Sequence, residues 1–546
     1  MIKPQEVLSQ FTADIILSDR ERLLLNLVEH FLDEIEILKR ENQTFKDEIN
    51  RLKGEKGKPK IKANTKPATD DINNDELQKD KQSKKGKKKN KKAKKKDIPI
   101  DTVKRIAIDC DLPGDAVFKG YSKLVIQEIE LKRNNLKFEL EQYYSASLNK
   151  TYIASLPSKY QGSLFGPQLR SFIINLKYQY RMTEPLIFQF LDDIKIDMSQ
   201  GTLTNILSNN TDIFRQEIDE VVKAGLESPY ICTDDTGARH NGSNYYTTVL
   251  RSDFFTAFFT SQFKSRLNFI NVLCGGKGLQ YIFDDYAIAY LNNFFFSKED
   301  RIFIDSLKGK SFANLEEIED LTEKLPGKQK FARILEAGAL SYYLKQDDYN
   351  QLELLISDEA KQFVLPCHIN ALCLVHIDRH FKKLTPKVPL NQSLVDDFRS
   401  DFWDLYDKLQ AYKENPDEEQ KLFLDKEFDE LFSRETGYNQ LDELISKTKD
   451  KKSGILVVLN HPEIPLHNNS SEQEIRHMVL IRKISFGTRS ENGRKARDTF
   501  IGLLQTCKKH GVSFGEYLND RMSKLNEIPR LSDLIRKKLS SLFDYG

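Results

Sequence analysis

The chain has 546 residues, 39% of them hydrophobic and 30% charged, and its 84 Lys and Arg against 82 Asp and Glu leave a formal charge of +2. Such a length predicts several domains with ample apolar material for a core. No run of about 18 apolar residues occurs, so no membrane span is expected, and the N-terminus lacks the basic flank and apolar h-region of a secretory signal. Six scattered cysteines without a CxxC pair exclude a disulfide scaffold and the ordinary zinc ribbons. The expected class is a soluble, cytoplasmic, multi-domain protein with no membrane partner.

The first element is a heptad pattern over residues 24–52. Val28, Ile35 and Ile49 take the a positions, and Leu24, Phe31, Leu38, Phe45 and Leu52 take d. Asn42 also falls at a, where a buried Asn favours a parallel two-stranded partner. A coiled-coil homodimer, or a higher oligomer, is therefore expected from 1–53. The alternative is an amphipathic helix packed on its own domain. Residues 54–98 lack aromatics and cannot bury enough apolar surface to offset chain entropy. Within them, 79–96 hold twelve Lys and one Asp, so the rest of the chain is net acidic. That density, Lys84, Lys85, Lys87, Lys88 and Lys89 included, points to a polyanion such as double-stranded DNA.

From residue 99 the chain reads as folded. Residues 99–225 are expected to form a helical region carrying a helix-turn-helix. Thr183 and Glu184 lead into Pro185, with Leu186, Phe190 and Leu191 on one face. Ser199 then caps a second helix with Leu203, Ile206 and Leu207 inside and Gln200, Thr202, Thr204 and Asn205 as exposed readers of a major groove. Residues 226–490 read as an α/β region, a mixed sheet flanked by helices. Three strands lie at 230–237, 245–252 and 254–263, and a fourth at 352–358. Helical insertions are expected at about 279–350 and 385–460, and 491–546 reads as helical again.

Acids at the strand ends carry the chemistry. Asp234 and Asp235 follow the apolar run ICT, and Asp358 follows LELLIS. Taken singly, each could be a turn residue. On adjacent strands, with a third acid from a helix, they would suit hard divalent cations and phosphodiester chemistry. Glu472, behind Asn468, Asn469 and the capping Ser470 and Ser471, opens a helix that bears Arg476, Arg482 and Lys483. It could equally be the favourable first-turn acid of an amphipathic helix.

The segments TDDTG, SDEAKQF with CLVHIDRHF, and PLHNNSSEQEIR resemble, in that order, the three motifs of the insertion-sequence-66 family of bacterial transposases. The resemblance extends to the zipper segment, the stretch Pro157 to Leu169, SQGTL, and GVSFGEYLND near the end. It implies a ribonuclease-H-like domain whose catalytic and metal-binding acids are Asp234, Asp358 and Glu472, with Glu474 a weaker alternative for the third. Asp235, Cys373, His376, Arg379, Asn469 and Arg476 are the implied supporting residues. Asp284 and Asp285 imitate the second motif but lack a following Cys-x-x-His. The implied activity is cleavage and strand transfer of an insertion sequence with two Mg²⁺ or Mn²⁺ ions, in the bacterial cytoplasm at the nucleoid. Accessory proteins of the same element are further expected partners. A nuclease or resolvase that cuts without joining, or an inactive DNA-binding remnant, are the rival readings. Zinc is not expected: the region before the helix-turn-helix has only Cys110, and Cys367, Cys373, His376 and His380 read better as core packing or site support.

Overall fold

The computed structural model describes residues 8, 10–11, 17–52, 99–110, 113, 116–209, 211–321 and 326–543. The lysine cluster at 79–96, with Lys84, Lys85, Lys87, Lys88 and Lys89, lies outside the described residues. By its contacts the chain divides into two units, 31–134 and the remainder.

Helix α1 (Asp19–Leu52) runs unbroken through the heptads. Its first turns are fixed to the larger unit. Leu25 and Glu29 are buried, Asn26 donates to the Gly437 carbonyl at 2.8 Å, and Glu29 accepts from Asn391 and from the Lys387 N–H. The stripe itself is exposed, from Val28 at 38% to Phe45 at 65%. The helix therefore packs on its own chain at its first turns, and the heptad side chains that follow are exposed.

The helical character expected of 99–225 begins late. Residues 102–109 and 116–141 form neither helix nor strand, and their apolar side chains are exposed. A hairpin of β1 (Gln142–Ser145) and β2 (Lys150–Ile153) follows. Helices then come in sequence: α2 (Pro167–Tyr178), α3 (Glu184–Asp193), α4 (Gln200–Ser208) and α5 (Asp212–Gly225). In α3 the buried positions are Ile187 and Leu191, whereas Leu186, expected on the inner face, is exposed.

The centre is a five-stranded mixed sheet. Its strands are β3 (Ile231–His240), β4 (Ser243–Arg251) and β5 (Thr256–Ser261), then β8 (Leu354–Ser357) and β9 (Ile369–Leu372), in spatial order β5-β4-β3-β8-β9. The first three pair antiparallel, and β3-β8 and β8-β9 pair parallel. Between the two groups lie α6 (Arg266–Leu273) and the helical insertion, with β6 (Tyr281–Ile282), α7 (Asp285–Asn292), α8 (Lys298–Leu307), β7 (Ser311–Phe312), α9 (Leu315–Glu319) and α10 (Lys328–Lys345).

Successive strand residues face opposite sides of a sheet, and the core divides accordingly. Ile231 and Leu355 join one apolar cluster with α2–α10 and the C-terminal helices, whereas Cys232, Leu354 and Ile356 join a second. That second cluster is closed by α11 (Leu374–Lys382), α12 (Pro389–Glu414), α13 (Glu418–Leu431), α14 (Asn439–Lys449) and α15 (Lys452–Ile455). Helices on both faces of a mixed sheet give the expected α/β class.

Four helices are described toward the end of the chain, where helix was expected: α16 (Asn469–Ser485), α17 (Glu491–Lys509), α18 (Phe514–Ser523) and α19 (Leu531–Phe543). Helix α17 covers the open edge of β5, where unpaired backbone groups would otherwise invite association. Asp498 accepts from the Thr260 N–H and hydroxyl, both at 2.8 Å, and Thr506 bonds both backbone groups of Thr256. Gly502 permits this approach, since a Cβ there would lie 3.2 Å from the Thr256 carbonyl.

Candidate active site

Strand register sets the site. Cys232 pairs with Ile356 in the parallel β3-β8 ladder, so two residues further on Asp234 and Asp358 stand at one level. Strand β8 ends at Ser357, while β3 continues to His240 against β4. Asp234 and Asp235 therefore lie inside a long strand rather than at its end, at the point where β3 loses its neighbour. By alternation Asp234 faces the side of Cys232 and Asp235 the other.

Helix α16 takes up the edge that β8 vacates. Asn468 begins it: its side-chain amide donates to the Thr233 carbonyl at 2.6 Å, and its backbone N–H bonds Cys373 Sγ at 3.1 Å. At the far end Thr488 donates to the Arg239 carbonyl and accepts from the Asn241 N–H. Ser470 and Ser471, expected as caps, lie inside the first turn, and Asn468 is the N-cap residue with its side chain given to β3. Glu472 sits in that first turn, beside the acids of β3 and β8.

The electrostatics follow from this convergence. Burial, with the charges of Asp358, Glu472 and Asp235 around it, raises the Asp234 carboxyl to about 7, against the opposing N–H of Asp235 at 2.7 Å. Asp235 is also raised, chiefly by burial, but it is well held: Thr248 and Gln362 donate to it and Lys264 lies 3.7 Å away. Glu472 is held by Arg379, with contacts of 2.9 and 3.2 Å, and His376 Nε2 lies 3.5 Å from it. Burial and the adjacent Arg379 lower His376. Among the described residues no group of three or more His, Cys, Asp or Glu closes into a metal-holding set.

The remaining expected residues divide. Cys373 is buried and ends β9 as the N-cap of α11, and burial pushes its thiol up to about 11, so it supports the Asn468 turn as a neutral group. Asn469 is buried and its Oδ1 has no partner; Arg476 is exposed one turn beyond Glu472. Glu474 turns away to Thr256 and Lys509. Asp284 is the N-cap of α7, paired with Lys345 at 2.7 Å, and contributes nothing to this site. Lys264, Gln362, Thr248 and Asn468 are site residues absent from the expected set. Only Asn468, inside the NN pair, had a visible signal.

In the helix-turn-helix, Ser199 caps α4 by accepting from the Thr202 N–H at 3.1 Å, and Leu203, Ile206 and Leu207 are buried as expected. Gln200, Thr204 and Asn205 are exposed and Thr202 is half-buried. Two of these side chains are already engaged: Thr204 donates to Glu184, and Asn205 accepts from Asn209.

Residues 327–496 match the family described as Transposase IS66 family. That stretch includes Asp358, Glu472 and the α11 helix between them. The chain belongs to the IS66 transposase family. It is also 37% identical over 309 residues to a Sinorhizobium fredii protein named "Uncharacterized protein y4jO", an alignment covering 55% of this chain and 94% of that protein. Among the described residues of this IS66-family chain, no helix is long and apolar enough to cross a membrane.

Proposed function

We propose that this chain is a DNA transposase that cuts and joins element ends by metal-dependent phosphoryl transfer, with Asp234, Asp358 and Glu472 as its three acids. The observation that carries the reading is their convergence: one strand register and one helix start bring carboxylates from distant parts of the chain into mutual electrostatic range. The strand order β5-β4-β3-β8-β9, three antiparallel and two parallel, supports a ribonuclease-H-like domain. Bacterial, cytoplasmic and nucleoid-associated action follows from the same reading.

The donors fit divalent metal ions in kind. All three are hard carboxylate oxygens, and the buried Asn468 Oδ1, Asn469 Oδ1 and Ser471 Oγ beside them have no hydrogen-bond partner. Asp234, Asp358 and Glu472 would hold two Mg²⁺ or Mn²⁺ ions. When bound, such ions supply charge stabilisation to an in-line displacement at phosphorus. The chain's own part is positional. Asp234 must shed the proton that its neighbours favour, Arg379 and His376 orient the third carboxylate, and Asn468 fixes α16 against β3. Lys264 and Arg476 are cations at hand for phosphate oxygens.

Around this site we assign double-stranded DNA as the main partner, read by Gln200, Thr202, Thr204 and Asn205 and held without sequence preference by the 79–96 lysines. The exposed heptad stripe of α1 pairs two subunits, as two element ends require. The test is cutting of intact element ends, and joining of pre-cleaved ends to a target, by the full chain with Mg²⁺. Cleavage without joining would assign a nuclease, and neither activity would leave the DNA-binding remnant.

A further inference from the structure

The C-terminal end of α16 carries a feature that the catalytic reading leaves unused. Phe486 has φ 59° and ψ −5°, in the left-handed region that a β-carbon disfavours, and its ring is 84% exposed. Gly and Asn are the usual residues at such a helix end. A buried phenyl could offset the conformational cost, but this one buries almost nothing. Strain kept without a packing gain points toward function.

The surroundings are rigid and cationic. Gly487 follows at φ 133°, and a Cβ there would lie 2.5 Å from the Arg239 carbonyl, so only glycine lets the loop close on the β3-β4 hairpin. Thr488 completes the fastening with two backbone bonds and a contact to His240 Nδ1 at 2.8 Å. The stretch IRKISFGTR (481–489) contains Arg482, Lys483 and Arg489 and no acid, the hairpin tip GARHNGSN (237–244) adds Arg239, and the acid that follows, Glu491, lies 4.0 Å from His240 and is paired with Arg494. Arg482 lies against the bare backbone of Gly237, 3.4 Å from where a Cβ would stand. An aromatic ring standing clear among cations is the pattern of a stacking platform for a nucleic-acid base.

Resting on the DNA-processing reading above, we infer that Phe486 stacks on an unpaired or unstacked base of bound DNA, with Arg239, Arg482, Lys483 and Arg489 on the flanking phosphates. The position relative to the acids follows from the elements. Helix α16 rises about 1.5 Å per residue, so Phe486 lies about 21 Å beyond Glu472 along it, or roughly six base steps from the scissile phosphate at 3.4 Å per step.

The experiment uses the full chain, a fluorescein-labelled duplex, and the same duplex with a short bulge containing 2-aminopurine. The wild-type protein binds the bulged duplex roughly ten-fold more tightly than the perfect one and changes the 2-aminopurine fluorescence. Phe486→Ala brings the two affinities together and abolishes the fluorescence change, and Phe486→Trp keeps both. Phe486→Gly, which relieves the backbone, does not lower the melting temperature. A Phe486→Ala protein that keeps its bulge preference overturns the inference, as does a wild-type protein with none. A clear fall in melting temperature for Phe486→Gly also overturns it, because the ring would then be serving the fold. Failure of the wild-type chain to bind either duplex would instead remove the DNA-processing reading beneath it.

Discussion

Asp234→Asn tests the convergence of the acids without any reference to turnover. The Asp234 carboxyl is raised by burial and by Asp358, Glu472 and Asp235 from the ordinary 3.8 to about 7. A carboxyl whose folded value lies above its unfolded value favours the fold when protonated. Its contribution is complete below about 4 and is lost as pH rises through about 7. Three units at 1.36 kcal/mol each set an upper bound of about 4 kcal/mol, and relaxation around a partly open site reduces it to about 2 kcal/mol. Asparagine cannot titrate, so the variant escapes this loss. In EDTA at pH 8, Asp234→Asn should melt several degrees above wild type, and the difference should shrink toward pH 4. Thermal melts of both proteins across that range are the assay. Equal melting at every pH would refute this reasoning, because Asp234 would then be neither buried nor crowded by the other carboxylates.

Three further outcomes follow. Arg379→Gln leaves Glu472 half-buried without its cation, so stability in EDTA should fall by about 1–2 kcal/mol, and Mn²⁺ in the thermal melt should restore it; a melt unchanged in EDTA would mean the pair contributes nothing. Phe31→Lys with Leu38→Lys places charges on the exposed heptad stripe of α1 but spares Asn26 and Glu29, so self-association in sedimentation should be lost while the body stays folded. Deleting 79–96 should flatten the salt dependence of DNA binding, by a slope of about 0.9 for each phosphate contact removed, and leave self-association unchanged.

How much of this was legible depends on whether the signal was local. The three acids could be named from the sequence because each sits in a short motif, TDDTG, SDEAKQF or PLHNNSSEQEIR. Their common level could not, since it comes from the Cys232–Ile356 register between strands more than a hundred residues apart. Strand β3 looked finished at its acids because TDDTG is polar. It continues because β4 pairs with it as far as His240. Strand β9 was invisible for a different reason: it is only four residues long, at the edge of the sheet, and it lies in a run, CHINALCLVHIDRH, that reads as helix. The stretch 129–141 does alternate, IELKRNNLKFELE, and a period of two argues against the helix expected there. Lys264, Gln362 and Thr248 reach Asp235 from three separate elements and leave no linear trace. The arginine latch on Glu472 is likewise a tertiary fact, although Arg379 itself stands in the motif.

In the function proposed above, Asp234, Asp358 and Glu472 form one site for cutting and joining DNA. Its most direct test is a strand-transfer assay with pre-cleaved ends, Mg²⁺ and the three single variants Asp234→Asn, Asp358→Asn and Glu472→Gln, each shown to be folded by circular dichroism and to bind DNA like wild type. Removing one of three acids that act as a unit should cost about as much as removing all of them. We expect each variant to lose joining by at least about a thousand-fold, with no further loss in the triple variant. Joining at the wild-type rate by any one of them would contradict the account and take that residue out of the site.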